Sequence, residues 1–108
     1  MSEAITIGNV VFLTGQVPDD LTADITVQTL QVLAHIDAVL AKLDGSKADI
    51  ASVQVWLADT ADFAGMNAVW DASVDRDNPS SRSTCGVDLA RKRMKVEMIA
   101  IARFLLKT

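Results

Sequence analysis

The stretch "KVEMIAIARFL", residues 95–105, decides the fold. In an extended chain Val96, Met98, Ala100 and Ala102 fall on one face, and Ile99 and Ile101 on the other. Both faces are therefore apolar, as in a strand covered on two sides. One carboxylate, Glu97, interrupts the second face. Upstream lies "RSTCGVDL", residues 82–89, a second strand-like run opened by a single arginine, Arg82. The basic turn "ARKRM", residues 90–94, separates the two.

Further upstream, "IASVQVWLA" alternates, with Ala51, Val53, Val55 and Leu57 on one side and Ser52, Gln54 and Trp56 on the other. Helical spacing flanks it. Leu30, Leu33, Ile36, Leu40 and Leu43, widened by Val32 and Val39, predict a helix of about 20 residues from an N-cap at Asp24. Its end falls in "LDGS", with Gly45 as the left-handed cap. A second helix starts from Asp59 or Thr60, buries Phe63, Met66, Val69, Trp70 and Val74, and stops before the loop "DRDNP". At the N-terminus, "AITIGNVVFLTGQVP" reads as two strands around a Gly-Asn turn.

The order is ββαβαββ, which predicts an α+β fold: one sheet with two helices packed on one face. Two helices cannot cover both faces of the last strand, so its second face is expected to meet another subunit. The 108 residues, half of them hydrophobic, make one domain, residues 1–108. A net charge of −4 argues against a nucleic-acid partner. Apolar runs are too interrupted to span a membrane, and no secretory signal stands at the N-terminus. The single cysteine, Cys85, cannot form an internal disulfide and fits a reducing, cytoplasmic setting.

If the last two strands pair as a hairpin around "ARKRM", one register sets Arg82 opposite Ile101 and puts Arg82, Thr84 and Glu97 on a common face. A shift of one residue separates them. Even in the favourable register Arg82 and Glu97 stand roughly 13 Å apart, too far for an ion pair within one hairpin. They could grip one small ligand or meet across a subunit boundary. A guanidinium in a partly dry cleft binds a carboxylate through two parallel hydrogen bonds. A carboxylate on an apolar strand has its pKa pushed up and suits general base or acid work. The same two residues equally fit an ion pair that locks an oligomer.

Together "FLTGQVP", "QTLQVLAHIDAVLAKLDGSKADI", "VWLADTADFAGMNAVWD", "SSRSTCGV" and "KVEMIAIA" resemble the YjgF/RidA family from about Val10 to Ala102. The resemblance implies a six-stranded, chorismate-mutase-like trimeric fold with ligand clefts at subunit boundaries. It also implies an enamine/imine deaminase that converts 2-imino acids to 2-keto acids and ammonia, without cofactor or metal. It places Arg82 on the arginine that grips the substrate carboxylate and Glu97 on the glutamate that activates water. Thr14 and Gly15 match the Ser-Gly pair lining the cleft, and Asn67 matches the family asparagine. Two features depart from the pattern. Thr84 stands where active deaminases carry a cysteine, and the chain has no tyrosine, whereas the family's N-terminal arm brings one to the cleft.

The remaining features carry less. His35 has no partner at metal-ligand spacing. Trp56 and Trp70 read as core or interface anchors. A homotrimer that binds a small carboxylate without turnover is the competing reading, and a chorismate-mutase-like enzyme rests on fold analogy alone.

Overall fold

The computed structural model describes residues 1–104. Strands β1 (Ala4–Ile7) and β2 (Val10–Leu13) precede helix α1 (Ile25–Lys42). Strand β3 (Ile50–Leu57), helix α2 (Phe63–Ser73), and strands β4 (Ser81–Gly86) and β5 (Val96–Arg103) come next. The expected last strand reached Leu105, which lies outside the described residues. Both helices cover one face of a five-stranded mixed sheet, ordered β1-β2-β5-β3-β4. The resemblance implies six strands; five stand among the described residues. No described helix is long and apolar enough to cross a membrane.

The expected hairpin of the last two strands does not form. β5 inserts between β2 and β3, antiparallel to both, while β4 pairs parallel to β3 at the sheet edge. The reason is the helix between β3 and β4. A helical crossover returns the chain in its starting direction, which makes a parallel neighbour. The segment after Gly86 must then carry the chain past the end of β3 to reach β5.

The core forms where the covered faces meet. Val11 and Leu13 of β2, Val53, Val55 and Leu57 of β3, and Val96, Met98, Ala100 and Ala102 of β5 pack with Val32, Ile36, Val39 and Leu40 of α1 and Met66 of α2. Alternation in β3 and β5 is as read, apart from Ala51, which is exposed beside a register shift between Ile50 and Ser52.

α1 starts as expected, with Asp24 Oδ1 accepting from Val27 N at 3.0 Å. Its buried stripe is rotated from the expected one. Gln28, Thr29, Val32, Ile36, Val39 and Leu40 face inward, while Leu30 is 51% exposed and Leu43 is also exposed. The true stripe begins on two polar residues, so counting apolar ones shifts it. At the C-terminus Asp44, not Gly45, takes the left-handed conformation (φ 59°). Asp44 N donates to Ala41 O and Gly45 N to Leu40 O, a Schellman closure. Gly45 is needed for another reason: a Cβ there would overlap the Phe104 ring.

Ahead of α2, Asp59 caps a short 3-10 turn by accepting from Ala61 N at 2.9 Å. Met66 and Val69 are buried as expected, but Trp70 and Val74 are half-buried and Phe63 is exposed.

No element of the chain covers the sheet's other face among the described residues. Ile5, Phe12 and Ile101 lie in one cross-strand row, with Ile5 57% exposed and Phe12 43%. Ile7, Ile99 and Trp56 extend this apolar surface.

Candidate functional site

Arg82 sits on β4 opposite Val53, hence on the helix-covered face. Its guanidinium lies under α2, where Nη1 donates to Asn67 Oδ1 at 2.8 Å. The guanidinium carbon is 5.1 Å from the Trp70 ring centroid and 5.7 Å from that of Phe63. Phe63, Asn67 and Trp70 are spaced i, i+4, i+7 and so project from one side of α2. Asn67 is itself oriented, its Nδ2 donating to Asp71 Oδ2 at 3.3 Å. Among the described residues Arg82 makes no ion pair. Aromatic faces favour the cation without neutralising it, so its charge remains available to a ligand. Thr84, two residues on, shares this face. Its Oγ1 is buried without a hydrogen-bond partner among the described residues. Such an orphaned group costs about 1–3 kcal/mol, and a bound polar ligand can recover it.

Glu97 lies on β5 opposite Trp56, on the uncovered face. Beyond β2 the chain stays beside β5, with Gln16 N donating to Met98 O at 2.8 Å and Met98 N to Gln16 O at 3.1 Å. Phe12 pairs with Ile101 but Gln16 with Met98, so the β2 side carries one extra residue. This is a bulge, and it holds Thr14 and Gly15. It brings Gly15 against the carboxylate, where a Cβ would overlap Glu97 Oε2. Burial pushes the Glu97 carboxyl above its ordinary value. Thr14 O accepts from Gln16 Nε2 at 2.9 Å, and a hollow of about 340 Å³ opens beside Thr14 and Gly15.

Two groups result. Arg82, Asn67 and Thr84 cluster under α2; Glu97, Thr14 and Gly15 cluster at the bulge on the opposite face. The register that would put Arg82, Thr84 and Glu97 on one face is not the one formed, because β3 stands between their strands. Cys85, opposite Trp56, shares Glu97's face instead. Trp70 packs against the core as expected and also flanks the guanidinium, while Phe63, expected in the core, is exposed and flanks it too; their i, i+7 spacing around Asn67 is the signal for an aromatic clamp. His35 pairs with Asp19 at 3.0 Å, and no group of ligands suited to a metal occurs among the described residues.

A family model described as Endoribonuclease L-PSP matches residues 1–104. A RutC family protein of Haemophilus influenzae is 39% identical over 103 residues, covering 94% of this chain and 89% of the relative.

The chain belongs to the YjgF/RidA family.

The RutC family protein YoaB of Escherichia coli is 40% identical over 101 residues, covering 94% of this chain and 88% of that protein. A YjgF family member of Neisseria meningitidis superposes with a TM-score of 0.94 at 34% identity, covering 99% of this chain and 89% of that one. The YjgF/RidA fold thus extends through the whole described sheet, including the edge strand that carries Arg82.

Proposed function

We propose that this protein is an enamine/imine deaminase that hydrolyses small reactive 2-imino acids to 2-keto acids and ammonia. The cleft would form between protomers of a cytoplasmic homotrimer. The observation that carries the reading is Arg82: a half-buried guanidinium, clamped by Phe63, Trp70 and Asn67, with no carboxylate of its own among the described residues. Family membership supports it, and so does the apolar uncovered face, which is suited to a second copy of the chain.

In this mechanism the remaining N–H groups of Arg82 hold the substrate carboxylate in a two-point hydrogen bond. Thr84 Oγ1 supplies a further polar contact. Glu97, from the neighbouring protomer, accepts a proton from water as its oxygen adds to the imine carbon. That proton passes to the nitrogen of the adduct, giving an amino alcohol. The hydroxyl proton then travels through Glu97 to the same nitrogen, the carbon–nitrogen bond breaks as the carbon–oxygen bond becomes a carbonyl, and ammonia leaves a 2-keto acid. An enamine substrate first takes a proton at its terminal carbon and gives one up from its nitrogen, becoming the imine. A raised carboxyl pKa suits such exchange near neutral pH. The Thr14–Gly15 bulge sets Gly15, which has no side chain, directly against the Glu97 oxygen. No step calls for a metal or cofactor.

The test is release of ammonia and keto acid from freshly generated 2-aminoacrylate. Acceleration over the uncatalysed rate is expected, with loss in Arg82→Ala. Hydrolysis that survives that substitution unchanged overturns the carboxylate clamp. Thr84 and the absence of tyrosine favour a second reading, a trimer that binds 2-keto acids without turnover. Pyruvate binding with hydrolysis at background would select it. Ribonuclease action, the word in the family description, draws only on the basic turn 91–95, which contains no aromatic residue for stacking a base.

A further inference from the structure

The connection from β4 to β5 places four cations in five residues, Arg91, Lys92, Arg93 and Lys95, in a chain of net charge −4. Arg91, Lys92 and Arg93 are exposed. None of the four is in an ion pair among the described residues. Asp88 is the one acidic residue of the connection.

Mutual repulsion would loosen such a turn, yet its backbone is fastened from below. Gln28, fully buried in α1, donates from Nε2 to Arg93 O at 3.0 Å and accepts at Oε1 from Lys95 N at 2.8 Å. Ala58 N donates to Lys95 O at 3.1 Å, and Met94, 4% exposed, anchors the turn in the protein. Arg93 is held at φ 67°, a conformation that side chains other than glycine rarely adopt. The cations are thus displayed on a fixed frame.

The frame leads straight into β5. Lys95 precedes Glu97 by two residues, so their Cα atoms lie within about 7 Å, and Arg93 within about 14 Å. At physiological salt charges act over about 8 Å before screening removes them. At physiological salt Lys95 therefore acts on anions arriving beside Glu97, where the acidic chain as a whole would repel them, and the cations before it join in as the salt is lowered.

We infer that the turn Arg91–Lys95 is an electrostatic lip that gathers small carboxylate anions at the Glu97 side of the cleft. This rests on the reading of the site as a receptor for small carboxylates. The lip raises the local concentration of anionic ligand and leaves the chemical step alone.

The experiment compares the protein with the double variant Arg93→Gln/Lys95→Gln, the two cations nearest Glu97, whose contacts with the Gln28 clamp are made by backbone atoms alone. kcat and kcat/KM are measured for 2-iminopropanoate, generated in place from alanine by an amino-acid oxidase, across a range of ionic strength. Calorimetric affinities for pyruvate and for uncharged pyruvamide are measured alongside. Expected is an unchanged kcat, with kcat/KM and pyruvate affinity about 10-fold lower in the variant at low salt and convergent at high salt. Pyruvamide should show no difference. Equal salt profiles in the two proteins, or the same loss for pyruvamide, overturn the lip. Salt-dependent pyruvate capture without hydrolysis keeps the lip and removes the deaminase. Hydrolysis with an unaltered salt profile does the reverse, and absence of both binding and turnover removes both.

Discussion

The Arg82 cluster and the Glu97 cluster solve opposite problems. Under α2 a positive charge is stabilised by two rings and an amide that leave it unneutralised. At the bulge a negative charge is disfavoured by burial and held close to a glycine. The first is prepared to receive an anion, the second to take up a proton. Because the sheet separates them, no single copy of the chain can apply both to one small molecule. Two copies can, if the uncovered face of one meets the β4 edge of the other.

The strongest way to break this comparison is complementation. Arg82→Ala and Glu97→Ala are each expected to lose at least about 100-fold in deaminase rate. In the proposed homotrimer, random mixing of the two should restore activity in about a quarter of the clefts, since on that reading each cleft draws one residue from each of two protomers. A mixture as inactive as its components would show that the clusters do not cooperate.

Gly15→Ala tests the bulge alone. The added Cβ overlaps Glu97 Oε2 and must displace it. Misplacing a reacting group by about 1 Å can cost about 100-fold, so kcat should fall to that extent while pyruvate affinity holds. Loss of both would mean that the two clusters are not separable.

On the Arg82 side, Trp70→Ala removes one ring of the clamp and should weaken pyruvate binding about 2- to 5-fold, from a cation–π contact of about 0.5–1 kcal/mol. Isothermal titration measures it, and an unchanged affinity would make the ring structural only.

The smallest effect is on stability. Burial raises the Glu97 carboxyl above 4.5, so the folded chain holds its proton more tightly than the unfolded one. That contribution is complete below the ordinary carboxylate range and is lost as pH rises through the folded pKa. Glu97→Gln should therefore match the parent Tm in acid and exceed it near neutrality. For the proposed deaminase activity, the acid limb of kcat/KM should fall above the ordinary glutamate range.

Several features are legible in the residues because their causes are local. Asp24 and Asp59 cap the helical turns just after them, and Val53, Val55 and Leu57 alternate with Gln54 and Trp56. The two apolar faces of β5 announce a surface that the described residues leave uncovered. The α1 stripe departs from its expected position because its first members, Gln28 and Thr29, are polar and buried. Gln28 is satisfied by Arg93 O and Lys95 N, partners 65 and 67 residues away that no local pattern names. The six candidate site residues come largely from family resemblance, while their division into two clusters is not visible in the sequence.

Composition, periodicity and capping thus settled the class, the order of the elements and an unsatisfied apolar face, since each depends on neighbours a few residues apart. Only the tertiary structure decided that β5 enters between β2 and β3, and with it the faces on which Arg82 and Glu97 point. Strand pairing is a contest among distant segments for the same backbone hydrogen bonds. The helix between β3 and β4 set its outcome by bringing β4 back parallel to β3.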